Sequence, residues 1–305
     1  MRIAVVGSGG VGGYFGGRLA ASGEDVHFLA RGAHLAALRE RGLRIESPGG
    51  SIHLPRVNAT DTPADIGPAD LVFFTVKLYD TQSALALLPP LIGPQTLVVP
   101  FQNGVDSIDV LTRAYGRSQV AGGTAYVAAV IAEPGVIRHT AMNRLIFGPL
   151  SGAPPGALPQ LLAACRRAGI DAALSERILV DIWAKFVRLS VFSGMTAVTR
   201  CPIGPIREDP ELRAMSDDAL HESIAVARAK QIPLPASTFS EIVAASDALP
   251  ASARSSMLED LERGRPLELP WLSGALVRIG EEVGIATPTH RLIVSLLRPH
   301  VNGKR

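Results

Sequence analysis

The stretch that decides the fold stands at the start of the chain and reads Arg2-Ile3-Ala4-Val5-Val6-Gly7-Ser8-Gly9-Gly10-Val11-Gly12. Its first half is a short apolar run dense in β-formers, and a helix-compatible run, Gly13 to Ser22, follows the glycines. A strand that turns through Gly-x-Gly-x-x-Gly into a helix is the arrangement that binds the pyrophosphate of a dinucleotide. The stretch therefore predicts a nucleotide site, although a glycine-rich turn on its own is also compatible with a simple turn.

Each glycine of this turn has a physical role at such a site. Gly7 lets the strand turn tightly, Gly9 lets the backbone approach the phosphates, and Gly12 lets the helix pack against the strand. The helix N-terminus then presents unpaired N–H groups and the positive end of its dipole to the phosphates. We expect the following residues to bind the cofactor: Gly7, Ser8, Gly9, Gly10, Val11 and Gly12.

Bulk composition narrows the class of protein. The chain has 305 residues, is 47% hydrophobic and 19% charged, and carries a formal net charge of only +2. Two domains of ordinary size are expected, with no nucleic-acid partner and no membrane partner. The apolar start is too short for a signal peptide, and the two cysteines, Cys165 and Cys201, form neither a disulfide framework nor a metal set. We expect a cytoplasmic protein without a metal.

A second strand, Glu24 to Ala30, ends at Arg31. An acidic residue at this position commonly binds the ribose 2′-hydroxyl of NAD, whereas an arginine suits the 2′-phosphate of NADP. Arg31 follows the glycine turn at the expected interval and therefore indicates NADP(H), although a surface arginine at a strand end is the alternative.

Further strands alternate with helical segments and predict an α/β fold with a parallel, doubly wound sheet. The strand Asp70 to Val76 leads to Lys77, and the strand Thr96 to Val99 leads to Asn103. Ligands bind outside the carboxyl ends of such strands, so both residues are candidates for the cofactor site, with ordinary loop residues as the alternative. A helix is expected over residues 80–88 between these strands.

Several shorter segments complete the predicted N-terminal domain. Residues 43–45 and 51–54 suggest a small hairpin, and short strands at 122–126, 135–138 and 144–147 suggest an antiparallel edge of the same sheet. A loop at 152–156, a helix at 158–168 and a strand at 171–174 follow. We therefore expect a Rossmann-type NADP-binding domain over residues 1–176.

Residues 177–305 contain no strand pattern and predict an all-helical substrate and catalytic domain. One long helical pattern, 177–198, is followed by the breaker Cys201-Pro202-Ile203-Gly204-Pro205. This half offers a surface for a homodimer, but no stretch singles out one face. Further helices are expected at 211–230, 236–248, 255–262, 270–284 and 288–299.

The sequence contains no nucleophile motif, no spaced metal ligands and no phosphate-transfer loop, so the cofactor must supply most of the chemistry. Hydride transfer to a carbonyl creates an alkoxide, which needs a positioned acid. The best candidate is Lys185, which lies in a segment that is apolar nearly all round. From these residues alone, it either extends to solvent or is held in a cleft, where partial burial would lower its pKa.

The ordered segments of the chain resemble one known family, the ketopantoate reductases (2-dehydropantoate 2-reductases), over almost the whole sequence. The segments are Gly7-Ser8-Gly9-Gly10-Val11-Gly12, Arg31, Val76-Lys77-Leu78-Tyr79-Asp80-Thr81, Gln102-Asn103-Gly104, Trp183-Ala184-Lys185-Phe186, Cys201-Pro202-Ile203-Gly204, Ser255-Ser256-Met257-Leu258-Glu259-Asp260, Gly264-Arg265-Pro266-Leu267-Glu268 and Gly284-Ile285-Ala286-Thr287-Pro288.

The resemblance implies NADPH-dependent reduction of a 2-oxo acid, first of all 2-dehydropantoate to pantoate in pantothenate biosynthesis. It implies that Lys185 is the general acid and that Glu268 positions this lysine and contacts the ligand. Ser256 would hold the substrate, Asn103 would lie near the nicotinamide and the substrate, and Lys77 would line the cofactor side.

The chain departs from the family pattern at positions that usually bind the substrate. Asparagines one and two turns after the lysine are replaced by Leu189 and Ser193, the asparagine of Cys-Pro-Asn-Gly by Ile203, and another by Ala253. The Asp two residues after the family Glu is Pro270. Losing these polar groups favours a more apolar oxo-substrate as the alternative.

The role of Arg188 and the class of function both stay open on the sequence alone. Arg188, one turn after Lys185, is either a surface arginine or a group that binds a substrate carboxylate in compensation. A nucleotide-binding sensor without catalysis would need neither Lys185 nor Glu268. A hydroxyacid dehydrogenase of the 6-phosphogluconate type is disfavoured because its extended helical domain is missing.

Overall fold

The computed structural model describes residues 1–152 and 155–304, and it contains two compact units. The first unit comprises Met1–Gln102 and Asp106–Ile178, and the second comprises Asn103–Val105 and Leu179–Arg305. Part of the predicted loop at 152–156, residues 153 and 154, and the last residue of the predicted second domain, 305, lie outside the described residues.

The first unit contains all the named strands. These are β1 (Arg2–Val6), β2 (Asp25–Leu29), β3 (Leu43–Glu46), β4 (Ile52–Leu54), β5 (Asn58–Thr60), β6 (Leu71–Phe74), β7 (Leu97–Pro100), β8 (Ala121–Glu133), β9 (Val136–Pro149) and β10 (Asp171–Leu174). Its helices are α1 (Gly10–Ala21), α2 (Gly32–Arg41), α3 (Thr81–Leu85), α4 (Asp106–Tyr115) and α5 (Ala157–Arg167).

The sheet that carries the glycine turn has the order β5-β2-β1-β6-β7, and every pairing in it is parallel. Along β1, Ile3 and Val5 belong to one hydrophobic cluster, whereas Ala4 and Val6 belong to another. Both faces of the strand are therefore covered, which explains why its sequence is continuously apolar rather than alternating. The predicted mixed α/β fold with a parallel sheet is confirmed.

A second sheet has the order β10-β9-β3-β4, with β8 paired to β9. The prediction of short strands at 122–126, 135–138 and 144–147 on the edge of the first sheet is wrong. Instead, β8 and β9 form one long antiparallel ladder, and the predicted hairpin of β3 and β4 joins it because β3 pairs with β9.

The physical reason lies in the irregularity of this ladder. Its register shifts between Tyr126 and Ala128, between Ala128 and Ala129, and again before Glu133. Each bulge changes which side chains face the core, so the apolar alternation breaks within one continuous strand. The sequence pattern therefore indicates only fragments of these strands.

The predicted helix at 80–88 is shorter in the structure, where α3 spans only Thr81–Leu85. Short 3-10 turns at Leu78–Asp80 and Pro89–Leu91 flank it. After α3, the N–H groups of Leu87 and Leu88 donate to the carbonyls of Ala84 and Leu85, three residues back, so the chain continues as tight turns rather than as α-helix.

The second unit is helical. Its helices are α6 (Ile178–Thr199), α7 (Ile203–Glu208), α8 (Pro210–Ala229), α9 (Thr238–Asp247), α10 (Ser256–Glu262), α11 (Ser273–Val283) and α12 (Pro288–Leu297). Apolar side chains of α6 form its core, where Trp183 and Phe186 make an edge-to-face contact at 5.3 Å. Among the residues described, no helix has the length and apolar character needed to cross a membrane.

The segment Cys201–Pro205, predicted as a helix breaker, ends α6 but also contains the start of a helix, because α7 begins at Ile203. A proline is tolerated in a first helical turn, where the N–H groups have no acceptor within the helix. The N–H groups of Ile203 and Gly204 instead donate to the carbonyls of Ala253 and Ala251, each at 2.9 Å.

Candidate active site

The glycine turn between β1 and α1 is shaped by contacts that only glycine permits. Gly7 has a φ of +101°, and a Cβ there would lie 2.6 Å from the backbone nitrogen of Val76. A Cβ on Gly12 would lie 2.3 Å from the carbonyl oxygen of Gly7. A Cβ on Gly10 would meet the carbonyl oxygen of Ala129 in β8. These close approaches fix the backbone at the start of α1.

Gly9 differs from its neighbours, because a Cβ added there would meet nothing within 4 Å. Gly9 is also the N-cap residue of α1, so this open space lies directly before the helix N-terminus. Helix N-termini bind phosphates through their N–H groups and dipole, and the turn therefore fits a dinucleotide pyrophosphate. Val11 is partly buried in the first turn of the same helix.

Ser8 is buried, and its hydroxyl donates to the carbonyl oxygen of Leu29 at 3.2 Å. Thr75, which the sequence pattern did not single out, anchors the other side of the turn. Its Oγ1 lies 2.7 Å from the carbonyl oxygen of Gly7 and 3.1 Å from that of Val6. A threonine at the end of an apolar strand gives no signal of this role in the sequence.

Arg31 and Lys77 are both exposed and follow the carboxyl ends of β2 and β6. Gln102, for which the sequence analysis assigned no role, fixes the segment that carries Lys77. Its amide donates to the carbonyl oxygen of Val76 at 2.8 Å and to Thr81 Oγ1 at 3.0 Å. These two cations therefore lie at the edge of the sheet where doubly wound folds bind ligands.

The second unit brings together three predicted site residues that are far apart in sequence. Lys185 Nζ, on α6, donates to Asn103 Oδ1 at 3.0 Å. The Asn103 amide in turn donates to Glu268 Oε2 at 3.2 Å. Asn103 thus turns its oxygen to the ammonium and its amide nitrogen to a buried carboxylate.

The surroundings of Lys185 change its acidity. Burial lowers the pKa of its ammonium to about 8, the nearby Arg188 guanidinium contributes to this lowering, and the Glu268 carboxylate opposes both effects. The group is still mostly protonated at pH 7, but it gives up its proton more readily than an exposed lysine. This is the property required of a general acid near neutral pH.

The structure separates the roles of two adjacent serines. Ser255 is buried, and its Oγ caps α10 by accepting from the Leu258 N–H at 3.1 Å and contacts Thr196 Oγ1 at 2.6 Å. Ser256, the predicted substrate residue, is exposed at the first position of α10.

Comparisons with known proteins identify the family of the chain. Residues 3–152 match the family model described as Ketopantoate reductase PanE/ApbA, and residues 177–301 match the model of its C-terminal part. The chain is 30% identical to a 2-dehydropantoate 2-reductase of Mesorhizobium japonicum, over 98% of this chain and 97% of that protein. The chain belongs to the ketopantoate reductase family.

Solved structures of the family have the same fold. A PanE/ApbA family ketopantoate reductase from Ralstonia eutropha is 34% identical, with a TM-score of 0.90 and 98% of both chains covered. A 2-dehydropantoate 2-reductase from Geobacter metallireducens is 31% identical, with a TM-score of 0.92, over 98% of this chain and 99% of that one. The protein is thus an oxidoreductase of the 2-dehydropantoate 2-reductase type that uses a nicotinamide cofactor.

The replaced asparagine positions of the ketopantoate reductase pattern lie in apolar surroundings. Ile203 belongs to the hydrophobic core of the second unit, and Leu189 and Ala253 pack against that core. Ser193 keeps a hydroxyl, which is buried and has no hydrogen-bond partner among the described residues. Three of these four positions therefore carry apolar side chains in place of the asparagines of the family pattern.

Proposed function

We propose that the protein catalyses the NADPH-dependent reduction of a 2-oxo acid to a 2-hydroxy acid, with Lys185 as the general acid. The observation that carries this proposal is the hydrogen-bonded series from Lys185 through Asn103 to Glu268. A binding protein without catalysis would not need an ammonium of lowered pKa held by such a series.

The series explains how this chain would manage the proton. The Lys185 ammonium would donate its proton to the carbonyl oxygen of the substrate, on which negative charge develops during the reduction. Asn103 holds the ammonium through Oδ1, and Glu268 orients the Asn103 amide. The Glu268 carboxylate also favours the charged form of Lys185, which keeps the lysine protonated before the reaction.

The cofactor would be held by the first unit and would supply the hydride when bound. The backbone of the turn from Gly7 to Gly12 fits the pyrophosphate, because the space at Gly9 and the N-terminus of α1 coincide. Arg31 would bind the 2′-phosphate with charge-assisted hydrogen bonds, which favours NADPH over NADH. Lys77 would add positive charge on the cofactor side.

Two substrates follow from different observations. The names of curated relatives support 2-dehydropantoate, whose reduction yields pantoate for pantothenate biosynthesis. The apolar residues Leu189, Ile203 and Ala253 favour a related 2-oxo acid that lacks the hydroxyl group. A site without hydrogen-bonding partners gains nothing from that hydroxyl.

The test is to follow the oxidation of NADPH and of NADH with 2-dehydropantoate and with 3,3-dimethyl-2-oxobutanoate, which has the same branching without the hydroxyl. We expect turnover with NADPH and a lower kcat/KM with NADH. Tight NADPH binding without turnover of any 2-oxo acid would contradict the proposal and favour a sensor.

A further inference from the structure

The second unit contains an apolar cavity bounded by α6, α7, α8 and α9. Its interior offers about 50 Å³. One water-sized group needs roughly 10–15 Å³ by the same measure, so the cavity holds a few such groups, which is the size of a small branched side chain. Its wall is mainly apolar and includes Val191, Phe192 and Met195 of α6, Ile203 and Ile206 of α7, and Val243 of α9.

The cavity begins within one helical turn of the candidate acid. Arg188 forms part of its wall and lies three residues after Lys185 on the same helix, where side chains are neighbours. The positive charge of Arg188 lies close enough to the Lys185 ammonium to lower its pKa. A substrate whose carbonyl oxygen contacts Lys185 would therefore have its side chain within reach of this cavity.

Two arginines that line the cavity, Arg207 of α7 and Arg213 of α8, are already bonded to groups at the end of α9 and just after it. Arg213 makes two hydrogen bonds to the Asp247 carboxylate, at 2.7 and 3.0 Å. Arg207 donates to the carbonyl oxygens of Asp247 and Leu249, at 2.9 and 2.8 Å. A ligand that enters between the apolar walls thus meets charges that already have partners.

Ile203 connects the cavity to substrate selection. It lines the cavity at the position where the family pattern has an asparagine, and its side chain is almost fully buried. An isoleucine there can contact a branched hydrocarbon but offers no hydrogen bond to a hydroxyl group.

We propose that this α6–α9 cavity receives the side chain of the 2-oxo acid and that Ile203 makes it select apolar, branched side chains over hydroxylated ones. The inference rests on the proposed reduction of a 2-oxo acid, and it chooses between the two substrates named for it. The preferred substrate class is a 2-oxo acid with a branched hydrocarbon chain.

The first test fills the cavity with Val243→Phe, and Ala245→Phe serves as the control because Ala245 is exposed on the same helix. We expect Val243→Phe to lower kcat/KM for 3,3-dimethyl-2-oxobutanoate by at least about tenfold, as expected for methyl-sized changes in an apolar pocket. Pyruvate, whose side chain is a single methyl group, should be affected much less. The control should retain both activities.

The second test uses Ile203→Asn, which remains informative if the filled variant does not fold. We expect the ratio of kcat/KM for 2-dehydropantoate to that for 3,3-dimethyl-2-oxobutanoate to rise by at least about tenfold. Equal losses on all substrates in the filled variant, or an unchanged ratio in Ile203→Asn, would overturn the cavity proposal alone. Absence of turnover of every 2-oxo acid by the unaltered protein would overturn both this inference and the proposed function.

Discussion

At the scale of single residues, the pKa of Lys185 links the structure to a measurable pH dependence. An acid works only while protonated, so kcat/KM should fall as the pH rises through about 8, the pKa of this ammonium. Removing the positive charge in Arg188→Gln should move this fall to higher pH, because a like charge no longer disfavours the ammonium. Removing the negative charge in Glu268→Gln should move it to lower pH.

The measurement is a pH profile of kcat/KM for each variant, with Arg228→Gln as a control because Arg228 is exposed on α8. Profiles that stay superimposed for Arg188→Gln and Glu268→Gln would show that Lys185 is not the group that titrates.

The candidate site could be predicted at this scale only in part. Lys185 and Asn103 were candidates from their positions in the sequence, and the resemblance to the family added Glu268 and the roles of all three. Asn103 bonds to Lys185, which is 82 positions away in the sequence, and to Glu268, which is 165 positions away. No local sequence pattern indicates such contacts. The supporting roles of Thr75 and Gln102 could not be predicted either, because each is a single polar residue at the end of a strand.

At the scale of elements, the turn from β1 to α1 offers a test that separates cofactor binding from folding. Gly9→Ala places a methyl group in space that is open in the protein but that the pyrophosphate would need. We expect the thermal unfolding temperature to stay unchanged while the Kd for NADPH rises by at least about tenfold, since the backbone no longer comes close to the phosphates.

Gly49→Ala is the matched control, because a Cβ at Gly49 also meets nothing within 4 Å and the residue lies outside the glycine turn. Both its unfolding temperature and its NADPH affinity should equal those of the unaltered protein. Unchanged NADPH binding in Gly9→Ala would show that the turn is not part of the cofactor site.

Elements were predictable where one physical pattern persisted along the chain. The apolar run of β1 and the long apolar pattern of α6 gave their positions closely, because burial on all sides leaves a clear signal. The β8–β9 ladder was missed because bulges break its alternation, and α7 was missed because its first turn contains Pro205. In both cases tertiary contacts supply what the local sequence lacks.

At the scale of the whole molecule, a buried histidine predicts how stability depends on pH. His290 on α12 is fully buried, and its Nε2 lies 2.8 Å from Ser223 Oγ and 3.0 Å from the carbonyl oxygen of Ala219 on α8. Burial lowers the pKa of His290 below its ordinary value, although the nearby Glu222 carboxylate opposes this. The imidazole is therefore neutral in the folded protein.

The unfolded chain binds a proton at His290 more readily than the folded protein does, so acid favours unfolding. Stability from this group should be complete above a pH of about 6.5, the ordinary imidazole pKa, and should fall as the pH drops below it. His290→Gln should be less stable at neutral pH but should lose less stability between neutral and acidic pH. Thermal unfolding across this range measures the effect.

The exposed His300 supplies the control, since His300→Gln should keep the pH dependence of the unaltered protein. If His290→Gln and the unaltered protein lost stability in parallel on acidification, the buried imidazole would not be the cause.

The division into a parallel-sheet half and a helical half was also predictable, because strand patterns stop before the long apolar helix α6. The sequence could not show that Asn103 groups with the helical unit, since it follows a strand of the other unit. In that unit its side chain hydrogen-bonds to Lys185 and Glu268, contacts that exist only in the folded chain.

The most direct test of the central claim measures NADPH oxidation by the unaltered protein and by Lys185→Ala with 2-oxo acid substrates, with Lys230→Ala as an exposed control. Loss of a positioned general acid should lower kcat by roughly 10²–10⁴-fold. NADPH binding, measured separately, should stay the same in all three proteins. An unchanged kcat in Lys185→Ala would contradict the assignment of this lysine as the acid.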